Sequence, residues 1–160
     1  MMMRIIGILI LLSIFFSCEG KAQQEEKNDF SVEKTEEEWK SMLTPEQFYV
    51  LRNDGTERPF SSSLLKLNEN GNLHCVACDN LLFRSKDQFD ADCGWPSFDK
   101  PVEGAVVYKD DYKIGYKRID VRCAECDGHL GHVFEDGPKE TTGKRYCING
   151  VALKFTPEEE

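Results

Sequence analysis

This 160-residue chain contains seven cysteines, and their thiols are the side chains best suited to metal binding or redox chemistry. Four of them form two C-x-x-C pairs, Cys75 with Cys78 and Cys123 with Cys126, each in a segment of small and polar residues. Structural zinc takes four thiolates at about 2.3 Å in a closed tetrahedral shell, which two such turns supply when they face each other. The spacing therefore predicts one structural Zn²⁺ per chain, with no position left open for water or substrate.

Two other uses of these four cysteines stay open at the level of sequence. In an exported protein they could form disulfides, or one pair could be a thioredoxin-like redox centre. Neither pair opens a helix after a predicted strand, so nothing obvious lowers a thiol pKa there. A C-x-x-C disulfide also closes a small, strained loop. The repeated turn therefore favours metal binding.

Cys93 and Cys147 belong to no such pair. Cys93 lies in a Gly/Pro loop over residues 92–98, and Cys147 lies in a predicted strand. Strand alternation places Arg145, Cys147 and Asn149 on one face. A guanidinium near Cys147 would favour its thiolate, which is the reactive form of a cysteine. Together the two thiols predict an enzyme with one attacking and one resolving cysteine.

Two of the three histidines follow the second C-x-x-C pair, at His129 and His132. Because histidine titrates near neutral pH, both could donate protons or organise water. Zinc ligation or turn packing are the alternatives, and four cysteines already complete a zinc shell. We expect these histidines on a loop whose base is held by Cys123 and Cys126.

Trp95 and Phe98 flank Cys93 in its loop. They could be core residues or an apolar wall beside the thiol, and their residue types alone leave both possibilities open.

The elements that must position these residues are mostly strands. Capping boxes begin two short helices, one at Thr35 and one at Thr44 with Pro45 following, and residues 53–56 end the second. The Asn149–Gly150 dipeptide predicts a hairpin turn. The predicted strands cover residues 81–83, 105–108, 114–121, 145–148 and 151–155. We therefore predict a mainly β domain with a small helical cap.

The pattern of the N-terminal residues predicts an export signal. Arg4 precedes the apolar run 5–16, which is too short to span a bilayer, and Ser17–Cys18 follows. This order is similar to a bacterial lipoprotein signal, with an ordinary signal peptide and an incidental cysteine as the alternative. We expect a signal over 1–17, a tether over 18–30 and a catalytic domain over 31–160. Acylated Cys18 would anchor the protein to a membrane in the cell envelope.

The net charge of −9 argues against nucleic-acid binding, which needs basic clusters.

Five motifs in register resemble the B-type methionine sulfoxide reductases, over roughly residues 34–157. In chain order they are Cys75-x-x-Cys78, Cys93-Gly94-Trp95-Pro96-Ser97-Phe98, Cys123-x-x-Cys126, His129-Leu130-Gly131-His132-Val133-Phe134 and Arg145-Tyr146-Cys147-Ile148-Asn149. The resemblance implies a fold of two antiparallel sheets with peripheral helices and structural zinc. It also implies reduction of the R-epimer of methionine sulfoxide, chiefly in oxidised proteins.

The same resemblance implies a role for each motif residue. Cys147 is the nucleophile that attacks the sulfoxide sulfur and becomes a sulfenic acid, and Cys93 resolves it as a disulfide. Arg145 would assist formation of the Cys147 thiolate. His129, His132 and Asn149 would bind or protonate the sulfoxide oxygen. Trp95 would wall the pocket for the substrate methyl group, and Phe134 is assigned to substrate binding with it.

A thioredoxin-like donor would reopen the disulfide. Family members usually act in reducing compartments or as fusions with their own electron-donor domains, so an exported chain raises the question of its donor. A membrane-linked thiol relay is our hypothesis, and a monomer suffices for the chemistry. Two other functions remain as alternatives, a non-catalytic zinc-knuckle binding module and a general disulfide oxidoreductase.

Overall fold

The computed structural model describes residues 30–158. The predicted signal over residues 1–17, the lipidation site Cys18 and all but the last residue of the tether lie outside this range. Within residues 30–158, no helix has the length and apolar character needed to cross a membrane.

Two short helices precede the sheets, as the capping boxes predict. Helix α1 spans Glu36–Met42 and helix α2 spans Pro45–Asn53. Thr35 and Thr44 each accept a hydrogen bond from the backbone N–H three residues on, and the side chain at that position bonds back. These reciprocal bonds satisfy amide groups that have no partner inside a helix. Asp54 ends α2 in the left-handed conformation, at φ 50°.

Within the described residues 30–158, nine strands form two sheets in which every pairing is antiparallel, which confirms the predicted fold class. The strands are β1 Gly71–Cys75, β2 Leu81–Arg84, β3 Gln88–Phe89, β4 Ser97–Phe98, β5 Val106–Asp111, β6 Arg118–Cys123, β7 His129–Phe134, β8 Arg145–Ile148 and β9 Leu153–Pro157. The small sheet has the order β2-β1-β9, and the large one has the order β3-β4-β8-β7-β6-β5.

The predicted hairpin at Asn149–Gly150 is wrong. Strand β8 belongs to the large sheet and β9 to the small one, and a short 3-10 turn over Gly150–Ala152 joins them. The dipeptide resembles a hairpin turn, but here the chain crosses from one sheet to the other. Asn149 consequently ends inside the protein, where it is 3% exposed.

Two further strand predictions need correction. Strand β6 begins at Arg118, because residues 112–117 form turns rather than the start of a strand. His129 and His132 lie on β7, not on a loop. Pairing of β7 with both β6 and β8 therefore determines where these histidines point.

The core fills the space between the sheets. Phe83 of β2 and Phe98 of β4 are fully buried and stack with ring centroids 4.5 Å apart, joining the small sheet to the large one. Val50 and Leu51 of α2 are also fully buried. Burial of each such side chain contributes about 1.5–3 kcal/mol to folding. The helical cap is thus part of the core.

Candidate active site and metal centre

The four knuckle cysteines come together where the two sheets meet. Cys75 ends β1 and Cys123 ends β6, and the turns that follow carry Cys78 and Cys126. The Cys75–Cys126 and Cys78–Cys123 sulfur pairs lie 3.8 and 3.5 Å apart, and all four sulfurs lie within 4.8 Å of one another. Tetrahedral zinc with bonds of about 2.3 Å requires sulfurs about 3.8 Å apart. These cysteines could therefore hold one metal ion.

The two turns have the same backbone form. Asp79 donates its N–H to the Cys75 carbonyl at 2.9 Å, and Asp127 donates to the Cys123 carbonyl at 3.0 Å. Both aspartates have positive φ, at 65° and 55°. Aspartate tolerates this conformation better than most residues, so each sequence suits its turn.

Arg122 ties one of these turns to the neighbouring helix. Its Nε donates to Asp127 at 2.8 Å, and its NH1 donates to Asp54 at 2.7 Å and to Asp120 at 2.8 Å. Asp54, Asp120 and His129 stand close enough to form a second metal site. The guanidinium already supplies positive charge to both carboxylates, so this cluster does not require a metal.

Cys93 and Cys147 form a separate pair of thiols, with their sulfurs 3.6 Å apart. Cys147 lies on β8 directly opposite Ser97 of β4 on one side and His132 of β7 on the other. The Cys93 sulfur also lies 3.3 Å from the Ser97 hydroxyl. The fold thus brings together the two cysteines that sequence spacing leaves unpaired, at a distance that a small movement closes to a disulfide.

Burial raises the pKa of the Cys147 thiol to about 12, with a further rise from the adjacent Cys93 sulfur; Arg145 lowers it, but by less. Burial also acts to raise the pKa of Cys93, but contacts with Ser97 and Cys147 outweigh it, so that pKa falls below its usual value. Arg145 therefore favours the Cys147 thiolate, as its charge predicts, but burial has the larger effect on the pKa of Cys147. Because the two sulfurs lie this close, ionisation of one thiol disfavours ionisation of the other.

A small cleft of about 120 Å³ opens onto Cys147. Five of the predicted site residues line it, namely Trp95, His132, Phe134, Cys147 and Asn149. Gly131 lines it too, and a Cβ there would lie 2.1 Å from the Cys147 carbonyl oxygen, so any side chain would push β7 and β8 apart. The cleft is large enough for a methionine side chain but not for a folded polypeptide loop.

Asn149 and Trp95 are both held by Glu57, which is 5% exposed. The Asn149 amide oxygen accepts the Glu57 N–H at 3.0 Å, and its nitrogen donates to the Leu130 carbonyl at 2.9 Å. The Trp95 indole donates to the Glu57 carbonyl at 3.3 Å. Because one amide N–H serves Leu130, Asn149 has one N–H left to donate into the cleft.

Glu57 is in turn fixed by its own carboxylate. This group accepts the N–H groups of Gly150 and Val151 at 2.7 and 2.8 Å, in the turn that follows β8. Glu57 therefore connects three parts of the site: the indole, the amide and the end of the strand that carries Cys147.

Each of the two histidines on β7 pairs with a different aspartate. His132 pairs through Nε2 with Asp111 at 2.9 Å, and His129 through Nδ1 with Asp120 at 2.5 Å. Burial lowers the pKa of His132, and although Asp111 opposes this, the net shift is downward. A neutral His132 that donates from Nε2 to Asp111 keeps Nδ1 as a proton acceptor.

His129 and Arg145 do not line the cleft. His129 is 2% exposed and borders a neighbouring polar cavity of about 290 Å³, which shares Thr56, Arg118 and His132 with the cleft. The Arg145 guanidinium bonds to Asp136 at 2.9 Å and lies 4.5 Å from the Phe134 ring centre. Arg145 thus packs against Phe134, one wall of the cleft.

Sequence reasoning missed three residues of the cleft, Thr56, Arg118 and Gly131, as well as Glu57. Arg118 and Gly131 lie inside segments already singled out. Thr56 and Glu57 follow α2 in a stretch that shows no periodicity and no chemical motif. A buried acid in a non-helical segment gives no sequence signal until its backbone partners are known.

Comparison with known proteins agrees with this geometry. Residues 43–157 match the SelR domain. The chain is 53% identical over 129 residues to "Peptide methionine sulfoxide reductase MsrB" of Chromohalobacter salexigens, a match that covers 80% of this chain and 97% of the relative. The protein of the same name from Methanosarcina mazei is 54% identical over 130 residues, covering 81% of this chain and 92% of the relative.

A solved structure gives a weaker match. The Mis18 "Yippee-like" domain superposes on 57% of this chain and all of its own length with a TM-score of 0.47 and 15% identity. That likeness is too slight to carry an inference.

Proposed function

Because the chain belongs to the MsrB family of peptide methionine sulfoxide reductases, and is thus an oxidoreductase acting on methionine sulfoxide, we propose that Cys147 attacks the sulfoxide sulfur of the R-epimer in proteins. The sulfoxide oxygen passes to Cys147, giving a sulfenic acid and methionine. The Cys93 thiol then attacks the sulfenic acid, and a Cys93–Cys147 disulfide and water form. The sulfoxide gains two electrons, and the two thiols lose them.

The observation that carries this proposal is the position of Cys147 between the cleft and Cys93. Its sulfur borders the cleft that would hold the substrate, and the Cys93 sulfur lies 3.6 Å away. A nucleophile with a resolving thiol at that distance can complete both steps without a large rearrangement.

Protons in the first step come from within the site. A Cys147 thiol with a raised pKa still carries its proton when the substrate arrives. Nδ1 of neutral His132, on the strand opposite Cys147, would accept this proton and pass it to the sulfoxide oxygen, which makes the sulfur more electrophilic. The free N–H of Asn149 donates to the same oxygen. His129 borders the adjoining cavity, where its ring packs against the His132 ring with centroids 5.3 Å apart. It would assist this proton transfer indirectly, through His132.

Trp95 and Phe134 supply the apolar walls for the methyl group and side chain of methionine. A methyl group makes no hydrogen bond, so an aromatic face is the complementary surface. Chirality at sulfur then decides whether the oxygen points to His132 and Asn149, which favours one epimer.

Cys75, Cys78, Cys123 and Cys126 are proposed to hold one structural Zn²⁺. A zinc ion with four thiolate ligands supplies cross-linking between the sheets rather than chemistry, since no ligand position remains open.

The remaining proposals concern the cellular setting. Acylated Cys18 would hold a monomer to a membrane of the cell envelope, where an envelope thioredoxin-fold protein supplies electrons. Cys18→Ser should release the chain from the membrane fraction into the soluble envelope fraction. A wild-type chain that is already soluble and lacks a lipid by mass spectrometry would overturn the anchor.

The function is tested by incubation with R- and S-methionine sulfoxide peptides in dithiothreitol, followed by chromatography of the products. We expect turnover of the R form only. Turnover that favours the S form contradicts the proposal.

A further inference from the structure

Asp111 ends β5, and both oxygens of its carboxylate accept hydrogen bonds. Oδ2 is bonded to Nε2 of His132 at 2.9 Å and to Nη2 of Arg118, and Oδ1 accepts the backbone N–H of Lys113 at 2.8 Å. The Asp111 side chain is 10% exposed. Three partners on a nearly buried carboxylate fix its orientation against the His132 ring.

These contacts also keep Asp111 ionised. The Lys113 N–H lowers the pKa of Asp111, and His132 and Arg118 lower it further, so the pKa falls although burial acts to raise it. An ionised carboxylate accepts hydrogen bonds but has no proton to donate. Nε2 of His132 must therefore supply the proton of their shared bond, which leaves Nδ1 as an acceptor.

The sheet places the His132 ring between this carboxylate and the reactive thiol. Strand β6 lies between β5 and β7, so Asp111 reaches His132 across one intervening strand. Arg118, which faces Asp111 in the β5–β6 pairing, lies on that strand. His132 is directly opposite Cys147 of β8. Its ring lines both the cleft and the polar cavity, whereas Asp111 lines the cavity and not the cleft.

On the premise of the function proposed above, we propose that Asp111 is a positioning residue for His132. Its carboxylate orients the ring with Nδ1 unprotonated and stabilises the imidazolium that forms when Nδ1 takes the Cys147 proton. His132 then releases this proton to the sulfoxide oxygen and becomes neutral again. Asp111 neither gains nor loses a proton, and it acts on the substrate only through His132.

The charges around His132 determine how its titration responds to Asp111. The other titratable groups that face the ring are Arg118 and Asp120 of β6, His129 of β7 and Cys147 of β8. Burial lowers the pKa of His132 and Asp111 opposes this, so removing the Asp111 charge lowers that pKa further. The remaining charges of the cavity form their own pairs: Lys113 and Arg122 with Asp54, Lys109 with Asp127, and Asp110 with Lys117.

Asp111→Asn removes the charge and keeps the shape of the side chain. The full chain, reduced beforehand, is mixed with an R-methionine sulfoxide peptide, and methionine formed in the first turnover is measured by rapid quench between pH 4 and 8. We expect the rate at pH 7 to fall about 10- to 100-fold, because Nδ1 becomes a weaker base and the asparagine amide can also stabilise the other tautomer.

The pH profile separates positioning from structural damage. A protonated His132 cannot accept the thiol proton, so the wild-type rate should fall as the pH drops through the pKa of His132. Loss of the carboxylate charge lowers this pKa, so the acid limb should move to lower pH by about one unit in Asp111→Asn. Structural damage would lower the rate and leave the limb in place, which would overturn the proposal.

Asp110→Asn is the matched control. Asp110 is the preceding residue of β5, and its carboxylate is 50% exposed and pairs with Lys117 at 2.9 Å. Because an exposed ion pair contributes little, the single-turnover rate of this variant should change less than about twofold. Equal losses in Asp110→Asn and Asp111→Asn would contradict a specific role for Asp111.

The tautomer of His132 is measured in the wild-type protein. The chain has three histidines, so long-range proton–nitrogen NMR of protein labelled with ¹⁵N-histidine gives few signals, and His132→Asn identifies the one from His132. We expect the proton of neutral His132 on Nε2. A proton on Nδ1 instead overturns the proposal, whatever the activities of the variants.

The two proposals fail in different ways. If the wild-type chain forms no methionine from the R-sulfoxide, the proposed function is wrong. If methionine forms but His132 has the other tautomer, or the acid limb does not move, only the role of Asp111 is wrong.

Discussion

The four-cysteine cluster and the Cys93–Cys147 pair hold sulfurs at nearly equal separations, 3.5 and 3.8 Å in the cluster and 3.6 Å in the pair. Their surroundings differ. In the cluster, Cys75 and Cys123 are fully buried, Cys126 is 2% exposed and Cys78 is half-buried, and two backbone turns carry the four residues. Cys93 and Cys147 are half-buried and each borders an open space.

This difference shows that access and thiol number, rather than sulfur separation, distinguish a metal centre from a redox pair. Four thiolates complete a zinc shell and leave nothing to react. Cys147 lines the cleft and Cys93 lines a separate groove, so each thiol of the pair faces a space that another molecule can enter.

Cys147→Ser should produce the largest effect on catalysis. Turnover of R-methionine sulfoxide with dithiothreitol should fall by at least about 1,000-fold, because a serine hydroxyl is a far weaker nucleophile and cannot form the disulfide. Zinc content, measured by plasma mass spectrometry, should stay at that of the wild type. Parallel loss of zinc would mean that the two regions are not separate.

Cys126→Ser should have the opposite pattern. If the cluster holds zinc as proposed, removing one thiolate would open its shell at the junction of the sheets, so metal content should drop and Tm should fall by more than about 10 °C. Calorimetry and metal analysis measure the two effects. A variant that keeps its Tm and metal content but loses turnover would place catalysis at the cluster instead.

Glu57→Gln tests whether Glu57 positions Asn149 and Trp95, which line the cleft. The amide cannot accept both N–H groups of the turn after β8, so Asn149 and Trp95 should shift and kcat/KM should fall about tenfold. Glu103→Gln, at an exposed turn, is the matched control.

A purely structural role for Glu57 is separated from positioning by a double-mutant cycle. Positioning predicts that Glu57→Gln costs little more once Asn149 is already alanine. Additive losses, or a fall in Tm that accounts for the lost activity, would contradict it.

Asp54→Asn tests the ion pairs that Asp54, at the end of α2, forms with Lys113 and Arg122. Although burial opposes it, pairing with Lys113 and Arg122 lowers the pKa of Asp54 to about 2, from an ordinary value of about 3.9. A lowered folded-state pKa stabilises the fold above pH ~4, and this gain disappears as the pH falls towards 2.

Asparagine keeps the left-handed cap but not the charge, so Asp54→Asn should cost about 1 kcal/mol at pH 7 after allowance for partial exposure, and close to nothing at pH 2. Urea denaturation at several pH values measures this. A loss that does not vary with pH would show that the cost comes from something other than the ion pairs.

The sequence was sufficient for the parts of the site that depend on local spacing. The C-x-x-C pairs and the capping boxes are local patterns, and the structure confirms the boxes and the convergence of the four cysteines. The fold class followed from short alternating strands and from family resemblance.

Long-range partners could not be predicted in this way. The hairpin at Asn149–Gly150 failed because a two-residue turn signal does not say whether its flanking strands pair with each other. Glu57 was missed because its hydrogen-bond partners Asn149, Gly150 and Val151 lie far away along the chain. Thr56 was missed because only the folded chain places it beside the cleft. The raised pKa of Cys147 reflects burial, which strand alternation does not reveal.

The most direct test of the division between the two regions is a single turnover by Cys93→Ser without reductant. One equivalent of an R-methionine sulfoxide peptide is added, dimedone traps sulfenic acid, and peptide mass spectrometry maps the label. We predict about one methionine formed per chain and dimedone on Cys147 alone, since no resolving thiol remains. Dimedone on any of the four cluster cysteines, or no methionine formed, would contradict the account.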